Sequence, residues 1–396
     1  MRVRDFRLYL AGSACSRIGD NMESVTRSWL VWQLTGSPFW LGVMVFCHWF
    51  PNTVLALFAG VLADRVDNRK LILGSEFLYL LSSLAMGILV LTGAVNIWQV
   101  SGLLVLHGLS GALSNPSRQV LVHDLVGRER LMSGVSLVNS LFQCMTFVGP
   151  AIAGTLIAVV GPGTTYMITC LTFVPAIVSL AMIRVVKQHT QTTQVSAWES
   201  FREGLRHVRE SPVLLALLFM TTLPALFVAD SVSAMMPIFA TEILNVGAQG
   251  MGFLLSANGL GAIAAALFIS YLGTVRRKGW IITGTSVGFG VVVIAFSVSS
   301  WYFVSLSLLV VMGAMSVASS TLISTSLQLT ASDKLRGRVM GLHSLGTLGV
   351  RSFNGPLIGI FASAAGTPLA LGVLGGVVAV AVLALSVVSP VGRQLD

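Results

Sequence analysis

The sequence predicts an all-α membrane protein: twelve transmembrane helices in two pseudo-symmetric six-helix bundles. Three observations carry that prediction. Of 396 residues, 55% are apolar and only 10% charged, against about 25% charged in soluble domains, so a single soluble fold is excluded. Lys and Arg follow a strict pattern. Twenty of the 24 lie in seven segments that share one membrane side if the spans alternate, which is the positive-inside bias and places both termini in the cytoplasm. The halves also repeat, with Gly149-Pro150 in span five matched by Gly355-Pro356 in span eleven, and Gly108 in span four by Gly313 in span ten.

The spans run roughly 7–35, 39–63, 70–92, 97–124, 130–160 and 163–184, then 212–243, 249–273, 279–298, 301–329, 336–363 and 367–389. Each is long enough to cross about 30 Å of hydrocarbon at 1.5 Å per residue. Outer turns are marked by Gly36-Ser37-Pro38, Gly161-Pro162-Gly163 and Gly366-Thr367-Pro368. Trp40, Trp98 and Trp301 stand at those ends as an interfacial belt. The domains are an N-terminal bundle over 1–185, a cytoplasmic linker over 186–211 and a C-terminal bundle over 212–396. In the linker, Ser196 and Glu199 have capping-box spacing, and Trp198, Phe201, Leu205 and Val208 form an apolar stripe. Two readings stay open: a helix lying on the inner membrane surface, or a solvated linker helix.

Composition also excludes functions. The net charge of +9 is accounted for by the loop bias, so no nucleic-acid partner is expected. Cys15, Cys47, Cys144 and Cys170 lie in spans without a spaced motif, so neither disulfides nor a metal site is expected. The basic start at Arg2, Arg4 and Arg7 runs into span one without a cleavage site. No P-loop and no nucleophile–base set is visible, which argues against an ATP-driven pump or an enzyme, and no cofactor is expected.

Four arginines, Arg17, Arg27, Arg118 and Arg351, fall inside spans. In span one, Ser13, Arg17, Asp20, Ser24 and Arg27 recur at helical spacing, with Glu23 beside them. Asp20 lies about 20 Å along the helix. Ionisable residues at such depth cost at least ~2.5–3.5 kcal/mol each, so they face water or a partner. This stripe either lines a cavity or neutralises itself and fixes packing. Asp230 occupies the middle of span seven, Arg351 the middle of span eleven and Arg118 the inner half of span four. A carboxylate here can carry a proton, since burial and a neighbouring arginine act on it in opposite senses; Asp20 is the first choice, with Glu23 and Asp230 behind it. His48, His107 and His343 read as packed polar residues rather than relays. Trp29, Trp32, Phe46, Trp49 and Phe50, with Ser316, Ser319, Ser320, Thr321, Ser324 and Thr325, either line a cavity suited to bulky amphipathic solutes or, for many of the aromatics, face lipid.

The loop between spans two and three reads Gly60-Val-Leu-Ala-Asp64-Arg65-Val-Asp-Asn-Arg69-Lys70. Asp64 can face the N-terminus of span eleven, and Arg65 and Arg69 can pair with Asp124 at the end of span four. The equivalent segment Gly273–Lys278 keeps the basic residues and lacks the aspartate. This loop resembles the signature of the major facilitator superfamily, Gly-x-x-x-Asp-Arg-x-x-x-Arg-Arg/Lys, and the resemblance covers the whole chain. It implies a gate at Gly60, Asp64, Arg65, Arg69 and Asp124 that holds the outward-open state. It also implies a cavity lined by spans one, four, seven and ten, which Asp20, Glu23, Arg27, Arg118 and Asp230 should face, with Arg351 facing it or bracing the second bundle. Gly149-Pro150-x-x-Ala153-Gly154 resembles the Gly-Pro signature of drug/proton antiporters, with Ala153 where that signature has glycine; ordinary helix packing accounts for it equally well. Arg17-Ile-Gly19-Asp20, Leu34-Thr35-Gly36-Ser37-Pro38, Ala63-Asp64-Arg65 and Arg336-Gly337-Arg338-Val339 resemble the macrolide- and enterobactin-type exporter branch. The resemblance implies proton-driven efflux of amphipathic small molecules by a monomer in a bacterial inner membrane. A metabolite symporter or facilitator, or a lysolipid or lipid transporter, stays open as an alternative.

Overall fold

The computed structural model describes all residues except 1–2, 66, 128–129, 184–196, 273–276, 333–334 and 390–396, with the backbone alone at residue 3 and over 56–65 and 197–201. The described residues are helical and contain no strand. In chain order the helices are α1 (Val3–Thr35), α2 (Pro38–Arg65), α3 (Asn68–Leu91), α4 (Ile97–Val126), α5 (Leu131–Met182), α6 (Ala197–Glu210) and α7 (Pro212–Phe227). They continue with α8 (Ser231–Ile238), α9 (Gly247–Leu272), α10 (Lys278–Ser297), α11 (Tyr302–Thr330), α12 (Arg336–Ser344), α13 (Arg351–Ala365) and α14 (Thr367–Val388).

Local chemistry sets several of these boundaries. Asp67 caps α3 by accepting from the Arg69 amide, and Asn96 with Gln99 forms a reciprocal capping box on α4. Ser211 caps α7, whose first residue is Pro212, a position where the missing N–H costs nothing. Gly36 and Gly366 take positive φ where one helix hands over to the next.

Among the described residues, eight helical stretches, Pro212–Ile243 counted as one, are long and apolar enough to cross a membrane by length and composition. One is α5, whose 52 residues make two spans. The sequence suggested an outer loop at Gly161-Pro162-Gly163. Instead the chain turns at Gly161 alone (φ 80°, ψ 167°), a left-handed conformation that glycine adopts without strain, and Pro162 starts the next helix. Spans seven and eleven, read from sequence as continuous, are each interrupted. The first breaks between α7 and α8, where the Val228 and Ala229 amides both donate to the Pro224 carbonyl, and it ends in a π-helical turn, Phe239–Ile243. The second has a π-helical turn, Leu345–Gly349, between α12 and α13, in a stretch that Gly346 and Gly349 weaken.

The chain forms two compact units. One is built on the first half and takes in Met236–Ser256; the other is built on the second half and takes in Leu41–Phe46. In the first, Phe6, Tyr9, Ile72, Leu121, Val122, Leu125, Val138 and Leu180 make one core that draws on α1, α3, α4 and both halves of α5. Small residues let α1 lie against α5: Gly12 faces Ala176 and Ser179, Gly19 faces Thr172 and Phe173, and Gly149 faces Asn21 and the Ile18 carbonyl. In the second unit α9 crosses α11 with Gly261 on the Val310 carbonyl and Gly313 on the Asn258 carbonyl.

The linker helix α6 packs on α12 in that second unit. Gly204 lies against Arg338 and Leu342, Val208 is buried, and Glu203 pairs with Arg338. The Ser196–Glu199 cap and the side chains of Trp198 and Phe201 lie outside the described residues.

The crossing of α9 and α11 leaves no space for a side chain. Gly313→Val is expected to destabilise by about 1–3 kcal/mol or more by overpacking, measured as a lower melting temperature of the detergent-solubilised protein. Gly284→Ala on α10, where a Cβ meets open space, is expected to leave it unchanged or raise it.

Candidate functional site

The charged residues of α1 meet their partners inside the first unit. Arg17 Nη1 is 3.3 Å from Asp20 Oδ2, and the Arg17 guanidinium lies 4.2 Å above the Phe142 ring of α5. This pair is part-exposed, with side chains at 25% and 20%. One turn further on, Glu23 and Arg27 are buried at 3% and 6% and interact electrostatically.

His107 of α4 sits between the two acids of α1. Its Nδ1 is 3.0 Å from Glu23 Oε1, without an aligned hydrogen bond, and its Nε2 is 3.6 Å from Asp20 Oδ1. The ring is walled by Tyr79 of α3, with centroids 4.4 Å apart, and by His48 of α2 at 5.4 Å. Tyr79 in turn packs on Phe173 of α5.

A second buried group lies on α3 and α4. Glu76 is fully buried, accepts from Ser16 Oγ at 2.9 and 3.0 Å, and pairs with Arg118 Nη2. An ion of either sign left alone here would cost several kcal/mol, so the pair and the hydroxyl account for one another.

The second unit brings Asp230 and Arg351 together at 3.8 Å. They stand at the two helix interruptions, Asp230 in the α7–α8 break and Arg351 at the start of α13. Asn354, fully buried, bridges the same elements: its Nδ2 donates to the Leu226 carbonyl and its Oδ1 accepts from Ser231 Oγ. An amide thus satisfies a carbonyl that the broken helix leaves without its usual partner. On α11, Ser316, Ser320, Thr321, Thr325 and Gln328 form an exposed polar column within a span. Ser320 and Thr325 donate their hydroxyls to the Val317 and Thr321 carbonyls of the same helix.

The residues singled out from sequence therefore fall into two groups: Asp20, Glu23, Arg27 and Arg118 in the first unit, Asp230 and Arg351 in the second. Around the inner loop, Gly60 lies within α2, and the side chains of Asp64 and Arg65 lie outside the described residues. Arg69 donates from Nε and Nη2 to the carbonyls of Leu180 and Ala181, both at 2.7 Å, and so caps the end of α5. Asp124 stands 3.5 Å from His123 Nδ1, and an Arg69–Asp124 pair is not among the described ion pairs. Gly149 is buried where α5 meets α1, and the neighbouring Pro150 is buried with its carbonyl against Gly252 of α9. Of the aromatic residues, Trp29 is buried and Trp32 donates to Thr241 Oγ1, whereas Phe50 is exposed.

Sequence reading passed over Glu76, Ser16, His107 as a partner of two acids, and Asn354. Glu76 carried a signal, a lone carboxylate inside an apolar span. The others are ordinary residue types for a helix interior, and only their neighbours give them a role.

Among the described residues no group of three or more His, Cys, Asp and Glu side chains is arranged to hold a metal ion. Membrane-length helices, interrupted at charged residues and enclosing paired ions, define a membrane transporter. A bacterial homologue of the human lysosomal transporter Spinster, solved in an inward-facing and unoccupied conformation, superposes with a TM-score of 0.75 over 100% of this chain and 98% of that one, at 11% identity. The chain belongs to the transmembrane secretion effector family of the major facilitator superfamily, whose family model matches residues 1–394. It is 28% identical to the multidrug efflux pump Tap of Mycolicibacterium fortuitum over 87% of each chain. It is 24% identical to macrolide efflux protein A of Streptococcus pyogenes over 69% of this chain and 68% of that one.

The buried pair gives a test by double mutation. Glu76→Ala leaves Arg118 unpaired and is expected to cost about 3–5 kcal/mol, whereas Glu76→Ala with Arg118→Met recovers most of that loss. Thermal unfolding of the purified variants measures both.

Proposed function

We propose that this transporter exports amphipathic small molecules from a bacterial cytoplasm in exchange for protons, by alternating access. The observation that carries the reading is the α1 stripe: Arg17, Asp20, Glu23 and Arg27 inside a membrane span, with Asp20 part-exposed beside Arg17 and Glu23 buried beside Arg27. A membrane helix holds two carboxylates and two arginines in its interior at considerable cost, and such residues in transporters mark ion and substrate pathways. A carboxylate that alternates between an arginine partner and water gains and loses a proton with each change of partner.

Support for the substrate class and direction comes from relatives named for multidrug and macrolide efflux, and from the polar column of α11 in an otherwise apolar helix. Interrupted helices at Asp230 and Arg351 fit the broken-helix sites that secondary transporters place near the membrane midplane. The protein acts as a monomer in the inner membrane, with both termini in the cytoplasm and the inner-loop motif as its gate. No cofactor is needed, because the proton gradient supplies the free energy.

Everted membrane vesicles energised with a proton gradient test this reading. Gradient-dependent uptake of a macrolide or a lipophilic cation is expected in the wild type. Asp20→Asn is expected to reduce it to background while the folded protein stays at wild-type abundance. Uptake that needs no gradient would point to a facilitator. Movement of lysolipid alone would replace the substrate class.

A further inference from the structure

Hydrogen-bond chemistry at His107 goes one step further, resting on the proton-coupled reading above. An imidazole has two ring nitrogens. In the neutral ring one carries a proton and the other a lone pair. Here each nitrogen has a carboxylate close by, Glu23 Oε1 3.0 Å from Nδ1 and Asp20 Oδ1 3.6 Å from Nε2, neither yet as an aligned hydrogen bond. A neutral ring between two ionised acids must set a lone pair against a carboxylate oxygen. The arrangement becomes fully attractive with one added proton, and repulsive on one side without it.

We infer that His107 holds the transported proton, with Asp20 as its entry and exit and Glu23 as its fixed partner. The asymmetry of the two acids assigns these roles. Asp20 is 20% exposed and its other oxygen is shared with Arg17, so it is less enclosed than Glu23 and has an alternative partner. Glu23 is 4% exposed and stays with the ring. In the loaded form both ring nitrogens are protonated, Nε2–H toward Asp20 and Nδ1–H toward Glu23. On unloading, the Nε2 proton passes by way of Asp20 to water. The ring is then neutral and keeps its Nδ1–H on the Glu23 side, and Asp20 turns to Arg17. One proton moves, no electron moves, and water is the donor and acceptor.

The surroundings fit a group that changes charge by one. Arg17, Arg27 and Arg118 are set against Asp20, Glu23 and Glu76 in the same unit, so the cluster is formally neutral with His107 neutral and carries +1 when it is loaded. His48 of α2, Tyr79 and Glu76 of α3, Arg118 of α4 and Tyr166 of α5 are the other titratable or charged groups around it. Of these, Glu76 is committed to Arg118 and Ser16, so its charge is already compensated. Tyr79 and His48 hold the ring between them, so loading needs only small rotations.

His107→Asn and His107→Gln place an uncharged amide near Nδ1 and Nε2 respectively, and neither ionises. The experiment uses the full chain in proteoliposomes, with a radiolabelled macrolide and ethidium as probes. It reads gradient-driven accumulation and, at equal pH on both sides, probe exchange. Folding of each variant is checked by its melting temperature. In the expected result, the wild type accumulates a probe against its gradient. Both variants lose accumulation to background and keep exchange within about threefold, as when a coupling group rather than a binding group is removed. Accumulation that survives in both variants overturns the relay and leaves proton-coupled export standing. Loss of exchange together with accumulation in folded variants also overturns it, since His107 would then serve binding or packing. A wild type that accumulates neither probe overturns the export reading itself, and the relay with it.

Discussion

The membrane interior does not solvate charge, and this one constraint organises the protein. A lone buried ion costs several kcal/mol, so every charged side chain inside a span must find a partner from another turn or another helix. Glu76 shows the constraint met in full, with Arg118 on one side and the Ser16 hydroxyl on the other. That group ties α1, α3 and α4 at one depth. It also removes Arg118 and Glu76 from exchange with water, which separates a fixed ion pair from the neighbouring charges that keep a choice of partner.

Backbone atoms obey the same rule. In hydrocarbon an unpaired carbonyl or amide also costs several kcal/mol, so helix breaks are tolerated only where something replaces the missing bond. Asn354 does so at the break between α7 and α8, by donating to the Leu226 carbonyl. Arg69 does so at the end of α5, by capping the Leu180 and Ala181 carbonyls. Small residues complete the scheme. Without a hydrophobic effect between helices in lipid, attraction depends on close approach, and Gly261 and Gly313 bring α9 and α11 into backbone contact. The bundle is thus held by fitted surfaces, while its charged groups are held in pairs.

The charged pairs differ in how completely they are enclosed. Asp20 has Arg17 on one oxygen and His107 near the other, and its side chain is part-exposed. It can change partner without leaving a charge stranded. The Asp230–Arg351 pair stands at two helix interruptions, where the backbone can change its path at lower cost than in a continuous helix. Exchange of partners at such places lets a helical protein move a solute without exposing an uncompensated charge to lipid.

The sequence by itself determined the membrane class and the suspect charges, because these depend on local quantities. Apolar runs have a fixed minimum length, and a charge within a span is visible as such. Arg17, Asp20, Glu23 and Arg27 could be placed on one helix from spacing alone. Only the tertiary structure decided what those charges meet. His107 looked like a packed polar residue, since nothing in α4 announces two carboxylates on α1. Glu76 and Arg118, 42 residues apart in the chain, become one ion pair only when α3 lies beside α4. The breaks at Asp230 and before Arg351 were hidden for the same reason: prolines and glycines weaken a helix anywhere, but it opens where a neighbour such as Asn354 can take up the released backbone bonds.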